Sequence, residues 1–218
     1  MTSNPQTPME ILIATQNPGK VREVQEALCS LPLILRYLSE FPGVSSVSEV
    51  GRTYEENAAL KAISYANETG ISALADDSGL EVDALGGKPG LFSARFGGNG
   101  ASDRDRIEKL LADLSQQAVG KWTARFVCSM ALAGWKSEAE RMSGSPTSLI
   151  ATARGICDGL IAPAPRGENG FGFDPVFLPE GYEQTFAELP ATVKAIVSHR
   201  ARALAGVQEF LKRHLDQT

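Results

Sequence analysis

Short apolar runs and segments with helical periodicity alternate along this chain, and the pattern predicts a mixed α/β fold. An apolar run over residues 10–15 predicts a first strand. The segment behind it has apolar residues at helical spacing, namely Val21, Val24, Ala27 and Leu28. Pro32 ends this helix and residues 33–38 predict a second strand, so the chain opens like a βαβ unit.

Two capping boxes predict where two further helices begin. Thr53 and Glu56 have the spacing of such a box, and the alanine-rich helix behind them is expected to end at Gly70. An apolar strand, residues 71–75, should follow that helix. A second box precedes a helix with apolar residues Ile107, Leu110, Leu111 and Leu114, and it is formed by Ser102 and Asp105.

The second half of the chain contains two more predicted strands, residues 125–133 and 148–161. Residues 166–181 are rich in glycine, proline and aromatic side chains. We expect this segment to be an ordered loop without regular secondary structure, because it is too apolar for a disordered linker.

The C-terminal segment, residues 192–215, is largely helical by its apolar spacing. On one straight helix Lys194, His199 and Arg200 would point in different directions, since five and six residues correspond to about 140° and 240° of rotation. We therefore predict a break, with Ser198 capping a new helix that begins at His199.

Composition and charge narrow the class of protein. Of the 218 residues, 43% are hydrophobic and 22% are charged, which is an ordinary globular balance. The length fits one two-lobed domain, expected over residues 10–218 behind a flexible tail, residues 1–9. The formal charge of -5 disfavours coating of nucleic acid. No apolar run reaches the ~18 residues of a membrane span, so neither nucleic acid nor a membrane is an expected partner.

The three cysteines, Cys29, Cys128 and Cys157, are widely spaced in apolar surroundings and include no CxxC pair. This spacing predicts buried free thiols in a reducing cytoplasm and disfavours a disulfide or a zinc site.

Two adjacent acids, Asp76 and Asp77, stand where the apolar run of residues 71–75 meets a predicted glycine turn. Such a pair can hold Mg²⁺ through oxygen ligands, and one carboxylate can orient or deprotonate a water. The alternative is an Asx-turn with both side chains in solvent. Glu49, in a loop before a glycine, is a candidate second metal ligand, whereas Glu56 could serve either the metal or the capping box.

The loop between the first strand and helix is a candidate phosphate-binding site. It offers a hydroxyl, an amide, a glycine and a lysine at a helix start, where free N–H groups favour an anion. The alternative is a turn that only joins strand to helix, since the GxxxxGK spacing of a Walker A loop is absent. Lys20 and Lys61 are the cations best placed to neutralise a phosphate.

The sequence FGFD at residues 171–174 could stack a nucleobase on an aromatic ring, with Asp174 accepting a hydrogen bond from the base edge. A plug in the hydrophobic core is the competing interpretation. Arg200 could clamp a carbonyl or a phosphate, and the alternative there is a surface arginine beside a capped His199.

Five motifs together resemble those of the noncanonical purine nucleoside triphosphate pyrophosphatases, the inosine triphosphatase-like family of dITP/XTP pyrophosphatases. They lie within residues 10–210 and read ATQNPGK, EVGRTYEENAALKA, ADDSGLEVDALGGKPGLFSARF, GENGFGFDPVF and VKAIVSHRARAL. The resemblance implies a two-lobed mixed α/β fold around a long central β-sheet, with helices on its faces and an active-site cleft between the lobes.

The resemblance also implies an activity. A cytoplasmic, Mg²⁺-dependent homodimer would hydrolyse dITP, ITP, XTP and dXTP to the monophosphate and pyrophosphate, removing deaminated purines from the nucleotide pool. Two alternatives stay open, a pyrophosphatase for modified pyrimidine nucleotides and a nonenzymatic nucleotide sensor.

Site residues follow from the resemblance by matching position. Asp77 becomes the catalytic acid and a metal ligand, Glu49 a second metal-binding acid and Ser78 a substrate contact. Gln16 departs from a common glycine, and Pro190 stands where a capping threonine is common. The other implied substrate-binding residues are Thr15, Gln16, Asn17, Pro18, Gly19, Lys20, Phe171, Gly172, Phe173, Asp174, Lys194, His199 and Arg200.

Overall fold

The computed structural model describes residues 8–98, 100–117, 120, 122–135 and 138–215, and within those ranges the chain forms six β-strands and six α-helices. The strands are β1 (Met9–Ile13), β2 (Leu33–Tyr37), β3 (Ser72–Val82), β4 (Thr123–Gly134), β5 (Ser148–Ile161) and β6 (Phe177–Pro179). The helices are α1 (Pro18–Leu28), α2 (Tyr54–Thr69), α3 (Asp103–Ser115), α4 (Glu138–Met142), α5 (Ala191–Val197) and α6 (His199–Leu215). No helix in the described ranges combines the length and apolar character that a membrane span requires.

The strands form one sheet in the order β2-β1-β3-β4-β5-β6. β1 pairs in parallel with both β2 and β3, and β5 pairs antiparallel with β6. Because parallel neighbours need a crossover, α1 connects β1 to β2 and the predicted βαβ opening is confirmed. Helices and a mixed sheet together confirm the predicted mixed α/β class.

The chain divides into two compact units. The first unit comprises Met1–Asp77, Met130–Ala153 and Leu204–Thr218, and the second comprises Ser78–Ser129 and Arg154–Ala203. The predicted extent of a single domain, residues 10–218, stays a prediction. Of the predicted tail, residues 1–7 lie outside the described residues, and Met9 already belongs to β1.

Small side chains build the core of the first unit around α2. Ala58, Ala62 and Ala66 of this helix are fully buried with Ala73 and Ala75 of β3. Because small alanine side chains line both the helix and the strand here, the helix can pack close to the strand. α2 is thereby held beside the end of β3 that belongs to the first unit.

Aromatic rings build the core of the second unit. The ring of Phe126 lies 4.6 Å from that of Phe177 and 6.3 Å from that of Phe186, measured between centroids. Leu110 and Leu114 of α3 are fully buried in the same cluster. The apolar face that predicted α3 is therefore the face that the helix buries.

The predicted helix starts after Thr53, Ser102 and Ser198 and the helix end at Gly70 are confirmed, whereas α1 ends at Leu28, before the predicted stop at Pro32. The Thr53 hydroxyl accepts a hydrogen bond from the Glu56 N–H at 3.1 Å, and α2 ends at Gly70 with φ 69°. The Ser102 box has both of its hydrogen bonds. The helix break is also present, since the Ser198 hydroxyl accepts from the Ala201 N–H at 3.1 Å.

Two predictions about loops are wrong. Asp76 and Asp77 do not lie in a turn after a short strand, because β3 continues without interruption to Val82. Residues 166–181 are not free of regular structure, because residues 177–179 form β6 against β5. In both places pairing with a neighbouring strand overrides the glycine and proline signals of the sequence.

The prediction of three buried free thiols is correct for two of the cysteines and wrong for the third. Cys128 and Cys157 are buried free thiols as predicted, but Cys29 is exposed just beyond the end of α1. Burial raises the pKa of Cys157 to about 11.

We expect iodoacetamide to label Cys29 rapidly in the folded protein and to spare the other two thiols. With a pKa of about 11, Cys157 is a thiolate in only about one molecule in a thousand at pH 8. Mass spectrometry of timed samples measures the sites, and a Cys29→Ser variant should show no fast labelling. Rapid modification of Cys157 without denaturant would contradict the expectation.

Candidate active site

β3 directs its two adjacent acids to opposite faces of the sheet, because successive side chains of a strand alternate. Asp77 shares a face with Ala73 and Ala75, which α2 covers. The carboxylate of Asp76 instead meets the ammonium group of Lys20 at 2.9 Å. Both acids are buried, with 5% and 6% of their surface exposed, so the solvated Asx-turn alternative does not apply.

Asn57 and Lys61 of α2 hold the carboxylate of Asp77. The Asn57 side-chain amide donates to Asp77 Oδ2 at 2.9 Å, and its oxygen accepts from the Gly51 N–H at 2.7 Å. These two bonds fix the direction of the amide. Burial raises the pKa of Asp77, while the Lys61 ammonium and the Asn57 amide act in the opposite direction.

Lys61 links this carboxylate to Glu49. Its ammonium lies 2.6 Å from Glu49 Oε1 and 3.7 Å from Asp77 Oδ1. Burial opposes the charge on Lys61, but Asp76, Asp77 and Glu49 together outweigh burial and raise the pKa of the lysine. The lysine therefore keeps its positive charge at neutral pH.

The donor set of this cluster fits a divalent cation. Three carboxylates, those of Glu49, Asp76 and Asp77, face two ammonium groups, so one negative charge remains in excess. Within the described ranges, no group of three or more His, Cys, Asp or Glu side chains is placed so that it could hold a metal ion by itself. Mg²⁺ suits such a site, because it takes one or two carboxylates and fills its other positions with water and substrate oxygens.

The N-terminal loop differs from its prediction in one respect. Asn17 caps α1, and its side-chain oxygen accepts from the Gly19 N–H at 2.9 Å and the Lys20 N–H at 3.2 Å. These two N–H groups are therefore not free for an anion. Thr15 in turn accepts from the Asn17 N–H at 3.2 Å, while Gln16 and Pro18 are exposed. The ammonium of Lys20 is the clearest phosphate contact that the loop offers.

Glu56 has the capping role that the sequence left open. Its carboxylate accepts from the Arg52 N–H at 2.6 Å, one residue before the expected partner Thr53, and its side chain is exposed. We therefore assign Glu56 to the start of α2.

A second cluster lies in the second unit around the half-buried ring of Phe171. The Lys194 ammonium lies 4.7 Å from the ring centroid and the Arg200 guanidinium lies 5.7 Å from it. Arg200 is 2% exposed and donates to the Ser78 hydroxyl at 2.9 Å. Lys194 pairs with Asp174 at 2.5 Å. The ring of Phe171 thus lies beside two cations, and a hydrogen bond or an ion pair fixes each of them.

Phe173 and Asp174 of the FGFD sequence are buried, whereas Phe171 and Gly172 are half-buried. Phe173 belongs to the hydrophobic core and is 4% exposed, as the core-plug alternative predicted. Asp174 is also buried and accepts from the Phe171 N–H at 2.9 Å. Its role as an acceptor for a base edge stays a prediction, while its contacts with Lys194 and Phe171 show that it shapes the loop.

His199 and Arg200 are positioned by the start of α6. The His199 imidazole stacks on Phe126 with centroids 4.6 Å apart and an interplanar angle of 11°. Both residues are buried, so the alternative of a surface arginine is wrong. Gly155 of β5 lets α6 approach, since an added Cβ would meet the His199 carbonyl, the Ala203 nitrogen at 2.6 Å and the Arg202 Cβ at 2.9 Å.

We expect Gly155→Ala to lower the free energy of unfolding by about 2 kcal/mol, because the methyl group would press on the backbone of α6. Gly43→Ala is the matched control, since no atom lies within 4 Å of a Cβ added there. Urea denaturation of both variants measures the difference. Equal midpoints would show that Gly155 does not set the approach of α6.

The sequence motifs did not single out Asn57, Phe126 or Asp103 as site residues. Asn57 stands at helical spacing from Lys61, which was the available signal for a shared face. Phe126 lies inside a predicted strand, where an aromatic residue is ordinary. Asp103 is adjacent to the Ser102 cap, and its partner is 69 residues away, the Gly172 N–H at 2.6 Å.

Comparisons with known proteins agree with one another. The sequence model of the Ham1 family matches residues 11–210 of this chain. A dITP/XTP pyrophosphatase from Bacillus anthracis is 43% identical over 200 residues, which cover 92% of this chain and 95% of the relative. One from Geobacter sulfurreducens is 46% identical over 205 residues, covering 94% and 96%. The solved structure of a HAM1 protein from Coxiella burnetii superimposes with a TM-score of 0.80 at 39% identity, covering 94% of this chain and 99% of that chain.

Proposed function

Since this chain belongs to the Ham1 family, we propose that it hydrolyses noncanonical purine nucleoside triphosphates, namely dITP, ITP, XTP and dXTP, to the monophosphate and pyrophosphate. Its role would be to remove deaminated purines from the nucleotide pool. The observation that carries the proposal is the cluster of the buried Asp76, Asp77 and Lys61 with the half-buried Glu49 and Lys20. The relatives named dITP/XTP pyrophosphatases support the choice of substrate.

Mg²⁺ is the proposed cofactor, with Asp77 and Glu49 as its protein ligands. The excess negative charge and the all-oxygen donor set of the cluster support this assignment. When bound, the ion would supply charge neutralisation at the phosphate oxygens.

In the proposed reaction a water oxygen bonds to the α-phosphorus and the bond from that phosphorus to the bridging oxygen breaks. Pyrophosphate leaves with the electron pair of the broken bond. Asp77 accepts the proton of the water, a task that its raised pKa favours. Lys20 and Lys61 neutralise charge that spreads over the transferred group.

Base selection is assigned to the cluster around Phe171. A purine would stack on its ring, and Arg200 and His199 would donate toward the acceptor at C6 of hypoxanthine or xanthine. Adenine presents a donor at that position, and the mismatch would leave buried donors without partners. The burial of both donors supports this assignment.

The proposal extends to the location of the protein in the cell and to its oligomeric state. We place the protein in the cytoplasm, which its three free cysteines support. We also propose a homodimer, and exposed apolar side chains such as Phe92 and Ile196, 57% and 74% exposed, support a surface that a second copy covers. Light scattering after size-exclusion chromatography tests the dimer, and a monomer mass would refute it.

Pyrophosphate release from ITP, XTP, GTP, ATP and a modified pyrimidine triphosphate, with and without Mg²⁺, tests the function. We expect fast Mg²⁺-dependent release from ITP and XTP and slow release from ATP. Equal rates with ATP would refute the base readout. Preference for the pyrimidine would favour the first alternative, and nucleotide binding without any release would favour the sensor.

A further inference from the structure

The loop that carries Phe171 is held by two carboxylates from different directions. The N–H of Phe171 donates to Asp174 inside the protein at 2.9 Å. The next N–H, that of Gly172, donates to Oδ2 of Asp103 at 2.6 Å. Gly172 has φ 62°, in the left-handed region, so this turn of backbone depends on such contacts to stay in one conformation.

Asp103 is well anchored for this task. It is the first residue of α3, behind the Ser102 cap, and its other oxygen meets the Arg106 guanidinium at 2.5 Å. Arg106 also donates to the Ala101 carbonyl at 2.8 Å, which ties it to the segment before the helix. The acceptor for Gly172 is therefore held on both sides by α3 and its capping segment.

We infer that Asp103 is a positioning residue for purine recognition, because its carboxylate fixes Gly172 and thereby the ring of Phe171 between substrate and the cations of Lys194 and Arg200. The inference rests on the proposed function. Asp103 does not touch the reacting atoms in this scheme. Its loss should therefore weaken nucleotide binding and spare the chemical step.

Asp103→Ala is expected to raise KM for ITP about tenfold, as a hydrogen bond to a charged acceptor is lost. The kcat at saturating ITP should stay close to that of the wild type. Asp103→Asn keeps an oxygen that can accept from Gly172 while losing the ion pair with Arg106, and it should restore most of the affinity. Arg106→Gln removes the same ion pair and leaves the Asp103 carboxylate in place, so its KM should rise clearly less than that of Asp103→Ala.

Hydrogen exchange at the Gly172 amide, followed by NMR, reports the contact without any substrate. The amide should exchange faster in Asp103→Ala than in Asp103→Asn or the wild type. Unchanged exchange, or a fall in kcat with an unchanged KM, would overturn the inference. A wild type that releases no pyrophosphate would refute the proposed function, whereas the exchange measurement would still decide the contact.

Discussion

Replacing Asp77 by Asn is expected to lower kcat/KM for ITP by about a thousandfold, because the variant cannot accept a proton from water. The amide has the shape of the carboxylate, and Lys61 keeps Glu49 as a partner at 2.6 Å. Pyrophosphate release under matched Mg²⁺ measures the rate. A rate near that of the wild type would show that Asp77 is not the base.

We also expect the Asp77→Asn substitution to change the pH dependence of the free energy of unfolding. Burial raises the pKa of Asp77, so the folded protein holds this proton more tightly than the unfolded chain does. Above that pKa the ionised carboxylate lowers the stability of the fold. Asp77→Asn should therefore be at least as stable as the wild type at neutral pH, and its advantage should shrink as pH falls through the pKa of Asp77.

Asp113→Asn is the matched control for charge removal. Asp113 is an exposed residue of α3 whose carboxylate pairs with Lys109 at 2.9 Å. An exposed pair of this kind contributes at most about 1 kcal/mol. The control should keep both the turnover and the denaturation midpoint of the wild type, and a loss of turnover there would indicate an unspecific effect.

Replacing Asp174 by Leu should lower the free energy of unfolding by about 3–5 kcal/mol, because it removes the carboxylate that faces a buried lysine ammonium. The pair is 2.5 Å apart, and Asp174 and Lys194 are 2% and 9% exposed. The change also removes the acceptor of the Phe171 N–H. Urea denaturation of the variant measures the loss.

The double variant Asp174→Leu with Lys194→Met separates stability from function. An apolar pair can replace a buried ion pair at little cost, so the double variant should be more stable than Asp174→Leu alone. Its turnover of ITP should stay low, because the ammonium of Lys194, one of the two cations beside Phe171, is gone. If the double variant were no more stable than Asp174→Leu alone, the unpaired Lys194 ammonium would not be the cause of the destabilisation.

Local signals predicted much of the fold because capping and periodicity act over a few residues. The break at Ser198 followed from the angles between Lys194 and Arg200, and the structure has α6 begin at His199 as predicted. The cap at Thr53 likewise needs only the Glu56 N–H three residues on. Such contacts are visible in sequence because both partners lie within one turn.

Contacts between distant residues were harder to predict. The glycine after Asp77 and Ser78 indicated a turn, but strand pairing keeps β3 extended to Val82. The partner of Asp103 is 69 residues away, so no spacing rule could connect it to Gly172. Asp77 and Glu49 became metal-ligand candidates by residue type and position, and the resemblance to the family selected them; they stay predictions with a chemically suitable donor set.

The fixed direction of the Asn57 amide makes the protein sensitive to the loss of this one amide. Its nitrogen serves Asp77 while its oxygen serves the Gly51 N–H, so only an amide satisfies both neighbours. Spontaneous deamidation of Asn57 would set one carboxylate against another and remove the donor. A protein that we propose to clear deaminated bases would then be disabled by the same hydrolytic damage in its own side chain.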